Sequence, residues 1–118
     1  MKLTKAARLR LRREFVEVQQ RGRRLFSGEL LVLALGSGAT RPRIGITVSS
    51  RVGNAVERNR VKRWIREAWR GMAEVYPPAD LVVIARPSAL TMGLEGARRA
   101  LASAREALVR AKAGEPGA

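Results

Sequence analysis

Ala55 to Arg70 (AVERNRVKRWIREAWR) constrains the fold more than any other stretch of the chain. At 100° per residue it is a helix with two incompatible faces. Val61, Trp64, Ile65 and Ala68 recur at i, i+3, i+4 and i+7, an apolar stripe wide enough to dock on a sheet. Nearly opposite lie Asn59, Lys62, Arg63, Arg66 and Arg70, with Arg58 and Arg60 on the flanks. Asn54 stands at the N-cap position with Glu57 three residues on, a pattern close to a capping box, and Gly71 follows the last periodic residues.

The polar face is electrostatically unfavourable by itself. Arg58/Lys62, Lys62/Arg66 and Arg66/Arg70 are like-charged i,i+4 pairs, each destabilising by about 0.2–0.5 kcal/mol. Only Glu57 and Glu67 are at hand to offset the cations between Arg51 and Arg70. A solvated helix face usually mixes its signs. A row of cations with an asparagine among them suits a polyanion, the cations meeting phosphates and the amide a base or sugar edge.

The rest of the chain supplies a sheet and two more helices. Leu11, Phe15 and Val18 repeat at four and three residues, a short amphipathic helix over about 11–21 closed by Gly22. Arg23 to Ser27 is read as a short strand, and Leu30 to Leu35 (LLVLAL) as a central one. Gly36-Ser37-Gly38 with Thr40 and Pro42 marks a turn. Ile44, Ile46 and Val48 alternate with Gly45, Thr47 and Ser49, a half-buried strand. Its small, polar face is either solvated or a place where RNA approaches the backbone. Tyr76-Pro77-Pro78 forces a loop, Leu81 to Ala85 is a buried strand, and Thr91 is the candidate cap of a last helix. In that helix Leu94, Ala97, Leu101, Ala104 and Leu108 form the core stripe, with Arg98, Arg99, Arg105 and Arg110 outside. Residues 1–10 read as a flexible basic arm and 114–118 as a disordered tail of one domain spanning 1–118.

Composition narrows the chemistry. A net charge of +14 points to nucleic acid or an acidic membrane surface. No apolar run approaches a membrane span, and the basic start lacks the continuous apolar region of a signal peptide. Without His or Cys there is no ordinary zinc site, no imidazole for acid–base work and no disulfide framework. The 10 carboxylates are scattered, unlike the paired acids of a two-metal nuclease. A cytoplasmic RNA or DNA binder is the expected class. A helix-turn-helix reading is disfavoured, because the basic helix follows a strand with no partner helix across a short turn.

Arg43 to Arg70 (RIGITVSSRVGNAVERNRVKRWIREAWR) resembles the signature of the bacterial ribonuclease P protein family. That pattern is a glycine-containing strand ending in Val-Ser, a Gly-Asn-Ala-Val turn, then Arg-Asn-Arg and Lys-Arg on a helix. Phe15, Val18 and Gly22 fit its upstream Phe-x-x-Val-x-x-x-Gly element, and Asp80 to Pro87 (DLVVIARP) its last strand. The resemblance implies an α/β (α+β) fold, a single-layer sheet with helices in the order αβββαβα. It also implies a left-handed β-α-β crossover, where handedness rules alone favour the right-handed one.

By the same resemblance the chain is the protein cofactor of ribonuclease P, which removes the 5′ leader from precursor tRNA. The partners are then the catalytic RNA subunit and precursor tRNA, with no protein partner required and no membrane. Mg²⁺ would be held mainly by the RNA subunit and substrate. Arg51, Asn54, Arg58, Asn59, Arg60, Lys62, Arg63, Arg66 and Arg70 would bind RNA, and Phe15, Gln19, Leu33 and Thr47 would face the leader cleft. On position alone Phe15 reads first as a core anchor. The chain departs from family habit at Ser50 for lysine, Gln19 for an aromatic and Leu33 for tyrosine. The last two leave the cleft short of rings for base stacking. Composition fits a small basic ribosomal protein equally well; only the ordered Val-Ser, Gly-Asn-Ala-Val and Arg-Asn-Arg elements separate the two.

Overall fold

A strand that is apolar on both sides of its pleat needs cover on both, and LLVLAL is such a strand. The computed structural model describes residues 8–9, 11–36 and 41–114. They form α1 (Arg12–Arg21), β1 (Arg23–Ser27), β2 (Leu30–Leu35), β3 (Arg43–Thr47), α2 (Ala55–Arg70), β4 (Asp80–Ala85) and α3 (Gly93–Gly114). The order αβββαβα is the expected one. The strands make one mixed sheet in the order β1-β2-β4-β3. The β1/β2 and β2/β4 pairs are antiparallel; β3 and β4 are parallel neighbours joined through α2, as a parallel pair requires a long crossover.

Helices cover both faces of the sheet. On one, Leu30, Val32, Ile44, Leu81 and Val83 pack with Val61, Ile65 and Trp69 of α2 and with Ala97, Leu101 and Ala104 of α3. On the other, Leu33 and Val82 pack with Leu9 and with Val18 of α1, while Phe15, Leu31, Leu35 and Ile84 border the cluster. The sheet is therefore the middle of three layers.

Several expectations are corrected. Val61, Ile65 and Ala68 are buried as the periodicity implies, but Trp64 is only half-buried and Trp69 is the fully enclosed ring of α2. The reason is tertiary. Trp69 lies against Tyr76 at 4.8 Å between centroids, and the Tyr76 hydroxyl donates to the Leu101 carbonyl of α3 at 2.7 Å. The buried stripe of α2 thus runs Val61, Ile65, Ala68 and Trp69, with Trp69 at i+8 in place of Trp64 at i+3.

Residues 1–7, 10 and 115–118 of the expected arm and tail lie outside the described residues, as do 37–40 of the turn. Within them, Leu9 is buried and its N–H donates to the Ile44 carbonyl at 3.0 Å, with Arg8 bridged to Ile44 in parallel. This end of the arm is docked on the open edge of β3. Gly114 is the last residue of α3 rather than part of a tail. Thr91 does not cap α3; it closes a 3-10 turn over Pro87–Thr91, and Gly93, at φ 68, opens the helix. Gly71 stops α2 in a right-handed conformation (φ −75), so its left-handed freedom is not used.

Truncating Trp69 to Ala is expected to cost about 3–5 kcal/mol through the cavity it opens, and Trp64→Ala clearly less. Trp69→Phe should be milder than Trp69→Ala, since it keeps most of the ring volume and the buried indole N–H has no partner among the described residues. Denaturant melts of the three variants check this; a larger loss in Trp64→Ala than in Trp69→Ala would contradict it.

Burial also holds the Tyr76 phenol protonated well above the ordinary tyrosine range, against a smaller opposing effect of Arg105. The fold favours the neutral form. That stabilisation is intact below the unfolded tyrosine's pKa of about 10 and is lost as pH rises past it. Tyr76 is the only tyrosine, so tyrosinate absorbance reads it directly. Ionisation should coincide with alkaline unfolding, and Tyr76→Phe should unfold at higher pH; an unchanged alkaline midpoint in that variant would refute the linkage.

Candidate nucleic-acid interface

The basic helix begins from a fixed point. Asn54 Oδ1 accepts the Glu57 N–H at 2.8 Å, and the Asn54 N–H donates back to Glu57 Oε1 at 2.9 Å, a complete capping box. Gly53 makes room for it: a Cβ there would stand 2.5 Å from Glu57 Oε1. The preceding loop is pinned from below by buried Val48 and Val52, and the Val52 N–H donates to the Ser49 carbonyl at 3.1 Å. Gly-Asn-Ala-Val is therefore cap machinery. Asn54 is exposed, but its side-chain oxygen is already committed to the helix end.

This cap takes up one of the two acids of α2, and Glu67 takes Arg70 at 2.7 Å. Among the described residues, Arg58, Arg60, Lys62, Arg63 and Arg66 have no carboxylate within ion-pair distance. Asn59, Arg60, Arg63, Arg66 and Arg70 are exposed, Arg58 and Lys62 are half-exposed, and Arg51 is exposed on the loop feeding the cap. The sequence-predicted RNA-binding residues thus lie on one helix face and its entrance. Their mutual repulsion persists in the folded chain, and neutralising them favours a polyanion over solvent.

The expected cleft residues lie with α1, on the opposite side of the sheet. Arg43 fixes that helix: its Nε and Nη2 donate to the two oxygens of Asp80 at 2.8 and 2.7 Å, and Nη1 donates to Glu14 at 2.8 Å. The hydrogen bond to Asp80, ahead of the opposing desolvation, raises the guanidinium pKa further above its already high value. Phe15 is half-buried with its ring over Gly45, where any Cβ would overlap the ring edge. Backbone access at Gly45 is accordingly filled by Phe15. Leu33, 3 % exposed, lies in the cluster with Val18 and Val82 and is floor rather than contact surface. Thr47 is half-buried and Gln19 exposed on the flank of α1.

Strand register orders this face into rows. Arg24, Leu33, Val82 and Gly45 form one, which α1 partly covers; Phe26, Leu31, Ile84 and Thr47 form the next. Phe26, Arg24 and Arg86 were not among the sequence-predicted site residues. The alternation in RRLFS marks which strand face Phe26 occupies, but not that it stays uncovered. Among the described residues no three His, Cys, Asp or Glu side chains converge where a cation would sit. Glu14 and Asp80 are bridged by Arg43. These residues do not fit a Mg²⁺ site, and no chemistry is routed through a protein-held ion.

The family model described as Ribonuclease P matches residues 3–109. The ribonuclease P protein component of Syntrophus aciditrophicus is 36% identical over 91 residues, 76% of each chain. That of Gluconacetobacter diazotrophicus is 47% identical over 85 residues, 70% of this chain and 73% of its own. Among solved structures, the Staphylococcus aureus RNase P protein superposes with a TM-score of 0.78 at 28% identity, over 90% of this chain and 97% of that one. A match of this extent, on a fold that presents the Arg-Asn-Arg helix as an uncompensated cationic face, assigns the chain to the ribonuclease P protein family.

Proposed function

We propose that this chain is the protein component of a ribonuclease P, which binds the catalytic RNA subunit and the 5′ leader of precursor tRNA and assists endonucleolytic removal of the leader. The carrying observation is the cationic face of α2, where five basic side chains are left without acid partners among the described residues. A helix whose charges repel one another is stabilised by a polyanion, and membership of the ribonuclease P protein family makes RNA the one it meets. Cleavage chemistry then belongs to the RNA subunit, with Mg²⁺ held by RNA and substrate; the protein supplies binding and orientation. The ribosomal reading, open on composition, has no counterpart among the relatives above. Among the described residues no helix is long and apolar enough to cross a membrane, and the proposed site of action is the cytoplasm.

Two outcomes test this. Lys62→Ala with Arg66→Ala should not lower the melting temperature, since it relieves like-charge repulsion, and should lower the slope of log affinity against log salt, for the RNA subunit or the precursor, by about 1 to 2. An unchanged slope in the folded double variant would remove α2 from the RNA interface. Protein freed of RNA should release no leader from labelled precursor tRNA. Joined to its RNA subunit, it should lower the Mg²⁺ needed for cleavage and favour precursor over mature tRNA. Leader release by the RNA-free protein would overturn the assignment of chemistry to RNA.

A further inference from the structure

We infer that Phe26, flanked by Arg24 and Arg86, is a stacking site for one base of single-stranded RNA, and that it receives a leader nucleotide beyond those lying beside α1. This rests on the reading of the chain as a leader-binding protein and adds a specific contact to it.

Phe26 is 68% exposed. A solitary exposed ring needs no explanation, but this one is furnished. The Arg24 guanidinium lies 6.0 Å from its centroid and that of Arg86 5.9 Å. The two come from different elements. Arg24 shares the Phe26 face of β1, and Arg86 follows β4, its N–H donating to the Glu29 carbonyl at 3.0 Å. Among the described residues neither guanidinium is ion-paired: Glu29 accepts the Ser88 hydroxyl at 2.7 Å, and Arg86 Nη1 donates to the Gly28 carbonyl at 3.5 Å. A ring 68% exposed with two guanidiniums over it matches a nucleotide: the exposed ring takes the base as the cations turn to the phosphates on either side.

Its placement selects the leader. Phe26 ends the row Thr47–Ile84–Leu31–Phe26, three strand spacings or about 14 Å from Thr47. The adjoining row lies under α1, so a strand leaving the Phe15–Thr47 region has a continuous half-buried apolar floor, Ile84 then Leu31, leading to the ring. A second copy of this chain is disfavoured as occupant. Stacking two such patches would oppose Arg24 and Arg86 to their own copies, on a protein of net charge +14. The inference also supplies what the cleft lacks. With Gln19 and Leu33 where rings are common, aromatic stacking moves outward along the leader to β1.

The test uses the holoenzyme reconstituted with its cognate RNA subunit, with Ca²⁺ replacing Mg²⁺ to hold substrate uncleaved. Affinities are measured for mature tRNA and for precursors with leaders of about 2 and about 10 nucleotides, the longer filling a single-strand site of ordinary size. Phe26→Ala should weaken binding of the long-leader precursor about fivefold or more and leave the other two ligands unchanged. Phe26→Tyr should retain wild-type affinity, and Phe26→Leu should behave as Phe26→Ala, separating stacking from apolar contact. The exposed ring makes all three variants expected to fold, which thermal melting verifies. If wild type favours the long leader and Phe26→Ala keeps that preference, the stacking site is overturned while leader binding stands. If wild type shows no leader-length preference, both fall. Equal losses on all three ligands would place Phe26 against the RNA subunit or tRNA body, and overturn the inference.

Discussion

The geometry of the cleft side depends on Arg43, which joins α1 to two strands at once. Asp80 is buried, and an ionised carboxylate there is tolerable only with a partner that is always charged and can meet both oxygens. A guanidinium fulfils both conditions, and its remaining nitrogen reaches Glu14. Removing one partner from a fully buried pair costs about 3–5 kcal/mol; here the Arg43 side chain is 30% exposed, and solvent screening reduces that figure. What the bridge settles is position. With Glu14 tied to β3 and β4, Phe15 lands over Gly45 and Val18 over Leu33 and Val82, so α1 covers one row of the sheet face and leaves the next exposed.

Much of this was legible in the sequence, because local rules and tertiary demands agree in most elements. The bounds of α2 followed from Asn54, Glu57 and a 3.6-residue period. β2 and β4 followed from short apolar runs between turn residues. What stayed hidden depends on neighbours distant in sequence. Periodicity puts Trp64 and Trp69 on the two edges of the apolar stripe, Trp69 at i+4 from Ile65; which of the two is enclosed is decided by Tyr76 and α3, which lie on the Trp69 flank. LLVLAL demands cover on both faces without saying which helix provides it. Gly45 reads as an opening, yet its space belongs to Phe15, thirty residues earlier in the chain and brought there by Arg43.

The candidate site divides along the same line. The cationic face was visible because like charges at i,i+4 are unusual without a purpose, and the structure sharpens it by consuming Glu57 in the cap and Glu67 in a pair with Arg70. The cleft was less visible. Leu33 and Phe15 lie on the α1 side of the sheet, but burial makes the first a floor and pins the second. Phe26 has an ordinary local sequence and acquires interest only when strand register puts it in line with Thr47 and the end of β4 brings Arg86 beside it.

The loop from Val48 to Asn54 joins the strand that carries Thr47 to the helix that carries the basic face. Its ends are fixed by the sheet and the capping box, and Val48 and Val52 anchor it to the core between them. It therefore has no slack. The two surfaces it links are joined by an anchored span rather than by a free tether. A rigid offset of this kind turns occupation of one surface into a raised effective concentration at the other. It also spares the association the entropy that a flexible tether would lose.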